Sequence, residues 1–131
     1  MKKDISVGGQ VVPCVANAFT PILYRQIFHK DFMTEMTSFS KLKGKKPSEY
    51  TDEDTATALE RTQSFSRLAF VMKEQATDKT IKELVKLNEL DYYEWLSKYE
   101  PSDFNDVSTI TDVLTLWRGN SEDNKVTAKN A

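Results

Sequence analysis

Apolar and polar positions alternate at the start of the chain and then change period. In "DISVGGQVVPCVA", residues 4–16, Ile5 and Val7 alternate with polar residues. After Gly8-Gly9, Val12, Cys14 and Ala16 share a face opposite Val11, Pro13 and Val15. A period of two on either side of two glycines, which accept positive φ, predicts a β-hairpin. Pro13 cannot donate a ladder bond, so its strand lies on an edge or is irregular there. Two strands alone are marginal in water, so the hairpin must pack on something or pair with another chain.

From Thr20 onward the period is helical. Thr20-Pro21 reads as a cap followed by a proline in the first helical position. Ile22, Leu23, Tyr24, Ile27, Phe28, Phe32, Met36 and Phe39 make a wide apolar face, with Phe28, Phe32 and Met36 nearly in line. This predicts one helix from Thr20 to about residues 37–40. The segment 40–50, "SKLKGKKPSEY", is a linker broken by Gly44 and Pro47. Its lysines Lys41, Lys43, Lys45 and Lys46 could hold anions or an acidic partner; a solvated mobile loop is the simpler reading.

A second helix follows from Thr51 or Asp52. Thr51 and Asp54 have capping-box spacing, and Asp52, Glu53 and Asp54 complement the helix dipole. Ala58, Phe65, Leu68, Ala69, Met72 and Ala76 repeat at helical spacing, and Phe70 and Val71 widen the arc, which makes this the central helix. It ends near Thr77 or Asp78. A third helix is expected over about 79–98, with Ile81, Leu84, Val85, Tyr92, Trp95, Leu96 and Tyr99 in a stripe that also contains Asn88. Asn88 is read as hydrogen-bonded in the core or as lying near an interface edge, the former being commoner. Pro101 ends this segment. Ser102 caps a fourth helix carrying Val107, Ile110, Val113, Leu114 and Trp117, and Gly119-Asn120 stops it. The pattern predicts a mainly α fold: about four helices preceded by a short N-terminal β-hairpin, in one domain over 1–118. A flexible polar tail is expected at 119–131.

Composition narrows the function classes. The 131 residues suffice for one domain with a core, with 39% hydrophobic and 29% charged residues. A net charge of -2 gives no global attraction to nucleic acid or to an anionic membrane. One cysteine excludes an intrachain disulfide and suits a reducing interior. The N-terminus lacks the apolar run of a signal peptide, and no stretch approaches the ~20 apolar residues of a membrane span. The chain is therefore expected to be soluble and intracellular.

Candidate chemistry is sparse. One histidine and one cysteine cannot supply a structural metal site of four soft ligands, and the acids at 52–54 look like a helix N-terminus rather than an alternating carboxylate loop. No glycine-rich phosphate loop is present. Cys14 and His29 would form a nucleophile pair only if the fold joined them. Cys14 among valines reads as a small buried hydrophobe, and His29 beside Lys30 and Asp31 as an exposed or capping residue. The expectation is no enzyme, no catalytic residue, no metal and no cofactor. Arg25, Lys30 and the lysine cluster could contact phosphates, but acids are interspersed and no recognition helix stands out. Seven phenylalanines, five tyrosines and two tryptophans need places; Tyr92, Tyr93, Trp95, Tyr99 and Trp117 gather in the last two predicted helices. An aromatic patch there would suit a protein partner, against the alternative of partly exposed core.

The order of a glycine-turn hairpin and then "ANAFTPILYRQIFHKDF" resembles the tail assembly chaperones of long-tailed phages and prophages of Gram-positive bacteria. That family's pattern runs through Thr-Pro, Tyr-Arg and Phe-Gly-Lys/Arg-Asp. Thr20-Pro21, Tyr24-Arg25, Phe28, Lys30 and Asp31 match it, while His29 stands where glycine is usual. The specific match covers about 16 residues, and helical segments with a lysine-rich loop, Trp95-Leu96 and a polar tail agree more generally. A continuous helix accepts histidine better than glycine, so the departure argues against a special backbone turn at His29.

The resemblance implies a non-enzymatic protein of the infected cell's cytoplasm, absent from the mature virion. It would coat the long, helical, aggregation-prone tape measure protein while tail tube subunits polymerise. A frameshifted extension, joined at the polar tail, would recruit the tube protein. Self-association along the client would supply avidity, through the hairpin edge or the helix faces. With this reading, Tyr24, Arg25, Tyr92, Trp95, Tyr99 and Trp117 are the candidate partner-binding residues, and no nucleic acid or membrane is bound. The competing reading is a small DNA-associated or regulatory helical protein of a mobile element.

Overall fold

The computed structural model describes the backbone of residues 2–130 and the side chains of residues 2–119. The protein is mainly helical behind an N-terminal hairpin. β1 (Lys2–Val7) pairs antiparallel with β2 (Gln10–Val15). The helices are α1 (Thr20–Phe28), α2 (Phe32–Phe39), α3 (Asp52–Gln75), α4 (Ile81–Leu84), α5 (Glu89–Leu96) and α6 (Val107–Asn130), with 3-10 turns at Ser40–Leu42, Pro47–Glu49 and Pro101–Phe104. α6 runs on through Gly119 and Asn120, so the helix stop expected there does not occur; the side chains of the expected tail 119–131 lie, from 120 on, outside the described residues.

The hairpin is the one the alternation predicts. Gly8 and Gly9 take φ of 57° and 78°, closing a two-residue turn with Val7 opposite Gln10. Ile5, Val7, Val12 and Cys14 are buried, and Val11 and Pro13 face solvent. A two-residue turn makes Val7 and Gln10 a hydrogen-bonded pair, so Ser6, Val11, Asp4 and Pro13 turn their backbone groups outward. Pro13 thus costs no ladder bond and removes one donor from the outer edge of β2. The outer edge of β1 is covered: the Thr109 hydroxyl on α6 donates to the Ser6 carbonyl at 2.6 Å. Strand addition at the hairpin is therefore left only the proline-blunted edge.

The central helix is α3. Its first half is largely exposed, but every residue from Ser64 to Met72 is buried. A helix enclosed on all sides sits in the middle of its domain. β2, α1, α2, α5 and α6 all pack against it. Its start matches the sequence: Thr51 caps it, accepting from Asp54 N–H at 3.1 Å while Asp54 Oδ2 accepts from Thr51 N–H at 3.1 Å.

Two expected helices are broken. The first stops at Phe28 because His29 adopts φ 55°, ψ 35° and its N–H bonds Arg25 O, a left-handed C-cap. Asp31 then caps α2, its carboxylate accepting from Met33 N–H and Thr34 N–H. The corner redirects the chain and brings both Phe28 and Phe32 against the Tyr24 ring, at 5.2 and 5.4 Å. Thr20 is the first residue of α1 rather than its cap. Its hydroxyl accepts from Asn17 N–H and donates to Gln75 Oε1 at 2.7 Å. The expected helix over 79–98 divides at Asn88, whose side chain caps α5 by accepting from Leu90 N–H and Asp91 N–H. The polar residue in the apolar stripe is thus a helix start. The segment at Ser102 is a 3-10 turn, and α6 begins after Asp106, whose carboxylate accepts from Thr109 N–H.

Candidate functional site

The aromatic residues form a connected array. Phe28 and Phe70 flank Tyr92 at 5.1 and 5.6 Å, Phe70 meets Trp95 at 5.9 Å, and Trp95 touches Tyr99 and Phe104 at 5.1 and 5.6 Å. These edge-on and tilted contacts are the geometry that aromatic quadrupoles favour. Tyr92 and Trp95 are buried within the array, and the Tyr92 hydroxyl pairs with Ser66 Oγ at 2.6 Å. Burial pushes the Tyr92 hydroxyl above its ordinary pKa. Trp117 is half-buried against Phe32 at 5.2 Å. Tyr24 is fully buried, and Arg25 is exposed and paired with Asp31 at 3.0 Å. Of the six sequence candidates, then, Tyr24, Tyr92 and Trp95 serve the interior, while Tyr99, Trp117 and Arg25 reach solvent.

Where the array meets the surface it lines a groove of about 340 Å³ between α3, the end of α5 and the turn at Pro101–Phe104. Leu59, Leu96, Tyr99 and Phe104 form its apolar wall, and Leu59 is 60% exposed. A second groove of about 540 Å³ lies on another side, between α2, α3 and α6. Met36, Phe65, Ile110 and Leu114 line it, with Lys43, Arg61 and Arg118 also contributing. Grooves with apolar walls on helical faces can take up an amphipathic segment by burying its stripe.

Beneath the surface lies a polar cluster that sequence reasoning missed. The Arg67 guanidinium donates to Tyr24 Oη at 2.9 Å, Glu35 Oε2 at 2.7 Å and Ser64 Oγ at 3.0 Å. Tyr24 and Ser64 each donate to Glu35 at 2.6 Å. Burial works against the charge on Arg67, but Tyr24 and Glu35 together hold its pKa above the ordinary value. Burial and the hydrogen bond to Glu35 push the Tyr24 hydroxyl up. No buried side-chain polar atom of the cluster lacks a hydrogen-bond partner, so it fastens α1, α2 and α3 together. Its signal was an arginine inside the block "SFSRLAFVM", at a position the apolar run places indoors.

Cys14 is buried on the inner hairpin face, and burial pushes its thiol pKa up to about 12. His29 sits exposed at the α1–α2 corner. Among the described residues no group of three His, Cys, Asp or Glu side chains is placed to hold a metal. Among the described residues no helix is long and apolar enough to cross a membrane. The linker lysines are partly engaged: Lys41 pairs with Glu53 at 3.0 Å and Lys45 with Asp54 at 2.8 Å, tying the loop to the start of α3. Comparisons of the chain with protein-family models, with curated proteins and with solved structures returned no match.

Proposed function

We propose that the chain is a tail assembly chaperone of a long-tailed phage or prophage. It binds the tape measure protein, keeps it soluble and helps bring tail tube subunits to it in the host cytoplasm. The observation that carries the reading is the backbone at His29. The family pattern has glycine at this position, and the residue here takes the left-handed conformation that glycine favours. The neighbouring pattern residues have matching structural tasks. Tyr24 anchors the Arg67 cluster, Arg25 pairs with Asp31, and Asp31 starts α2. The motif thus reads as the instruction for a helical corner, which is a reason for a family to keep it.

The two apolar grooves support a binding role over a catalytic one. A long helical client offers repeated apolar stripes, and many weak contacts along it add up by avidity. The test is co-expression with the tape measure protein of the same genome, followed by affinity capture. Retention of the tape measure protein in the soluble complex is expected. An insoluble tape measure protein with the chain left alone in solution would contradict the proposal. Salt-sensitive binding of duplex DNA would instead favour the mobile-element reading.

A further inference from the structure

The groove between α2, α3 and α6 differs from the aromatic groove in its charge. Three cations, Lys43, Arg61 and Arg118, contribute to its lining, and no carboxylate does. None of the three is held in an ion pair among the described residues, although the flanking lysines Lys41 and Lys45 both are. Pinning Lys41 and Lys45 to the acids at the start of α3 leaves Lys43 between them to face the groove. The apolar part comes from Met36 and Phe39 of α2, Phe65 of α3 and a stripe on α6. That stripe runs Val107, Ile110, Leu114, and Val107 is 77% exposed.

From Val107 to Arg118 the groove-lining face of α6 extends about 16 Å at 1.5 Å per residue. The spacing i, i+3, i+7, i+11 presents one face over three turns. Such a face accepts another helix by ridges-into-grooves packing. A strand would leave its own backbone groups unpaired against side chains. Apolar floor and cationic surroundings together specify the occupant's chemistry. We infer that this groove docks an amphipathic helix of a protein partner whose apolar stripe is flanked by acidic residues. The apolar stripe supplies affinity, and the carboxylates meeting Lys43, Arg61 and Arg118 set selectivity and orientation. The groove is one of the two invoked for the tape measure protein, but the peptide test involves no phage protein, so the two proposals can fail separately.

The test uses the full chain and two fluorescein-labelled helical peptides of about 18 residues, long enough to span the groove. Both carry the same leucine stripe, one flanked by glutamates and the other by lysines. Anisotropy titrations are expected to show the glutamate peptide binding about tenfold more tightly or better, with the gap narrowing between about 50 and 300 mM salt as screening increases. Val107→Asp, at an exposed position, should weaken that peptide by about tenfold while leaving the circular dichroism spectrum unchanged. Leu59→Asp, in the aromatic groove, should leave it unaffected. Reversal of the three cations to glutamate should invert the preference between peptides.

Equal affinity for the two peptides, no binding of either, or insensitivity to Val107→Asp would overturn the inference. Loss of binding in Leu59→Asp alone would move the site to the other groove. Sedimentation showing a dimer of the chain that Val107→Asp dissociates would assign the groove to a second copy, which would also overturn it.

Discussion

Replacing Arg67 by methionine tests whether the buried cluster holds the three helices together. The Arg67 side chain is 9% exposed and that of Glu35 15%. Removing the guanidinium takes three hydrogen bonds and leaves the Glu35 carboxylate with only the Tyr24 and Ser64 hydroxyls. Breaking a buried ion pair from one side costs about 3–5 kcal/mol. The two remaining donors and partial contact with water reduce this to about 2–3 kcal/mol. For a domain of this size that corresponds to a fall in Tm of about 10 °C. Urea unfolding followed by tryptophan fluorescence measures the loss directly. The partner variant Glu35→Leu should lose a similar amount, since it strands the cation. The double variant removes both charges at once and should be less destabilised than the two single losses combined, by about 2 kcal/mol. A loss below about 0.5 kcal/mol for Arg67→Met, or additivity of the two changes, would refute the keystone role.

Three further outcomes follow from individual residues. His29→Gly should raise stability by about 0.5–1 kcal/mol in urea unfolding, because glycine takes the left-handed conformation without a Cβ penalty; a destabilised variant would contradict the C-cap assignment. The Cys14 thiol, raised to about 12 by burial, should react with a thiol-specific reagent at pH 7.5 more than about a hundredfold slower in the native than in the urea-unfolded chain, and equal rates would place it at the surface. Burial alone would raise the Glu74 pKa, but hydrogen bonds from Lys79 and Lys73 outweigh it and hold the carboxyl below its ordinary 4.5. Its contribution is therefore complete above pH 4.5 and declines as pH falls through the lower folded value. The stability gap between wild type and Glu74→Gln should be constant above that pH and shrink below it; a gap independent of pH would refute the ion-paired state.

The periodicities reported on what each segment buries, and they served best where burial is one-sided. The hairpin, the capping box at Thr51 and the centrality of α3 were legible because each follows from local spacing. The corners at His29 and Asn88 were not. Both residues sit within apolar runs that continue in phase across the break, so periodicity carried on where capping chemistry stopped the helix. Asp31 two residues after His29, and Asp91 three after Asn88, are the short-range signals of those starts. The same limit affected the site. Tyr24, Tyr92 and Trp95 have the side chains of partner-binding residues, yet size and aromaticity also suit the interior, where the structure puts them. The grooves depend on residues far apart in sequence, such as Leu59 with Phe104 and Lys43 with Arg118. Their juxtaposition is a property of helix packing that no single stretch encodes.

The role proposed for the chain is to hold an apolar helical client in solution. The most direct measurement is the soluble fraction of the tape measure protein co-expressed with wild-type chain, with the Leu59→Asp, Val107→Asp double variant, and alone. A soluble complex is expected with wild type and precipitation in the other two cases, with the double variant itself folded. A tape measure protein that is equally soluble, or equally insoluble, in all three would contradict it.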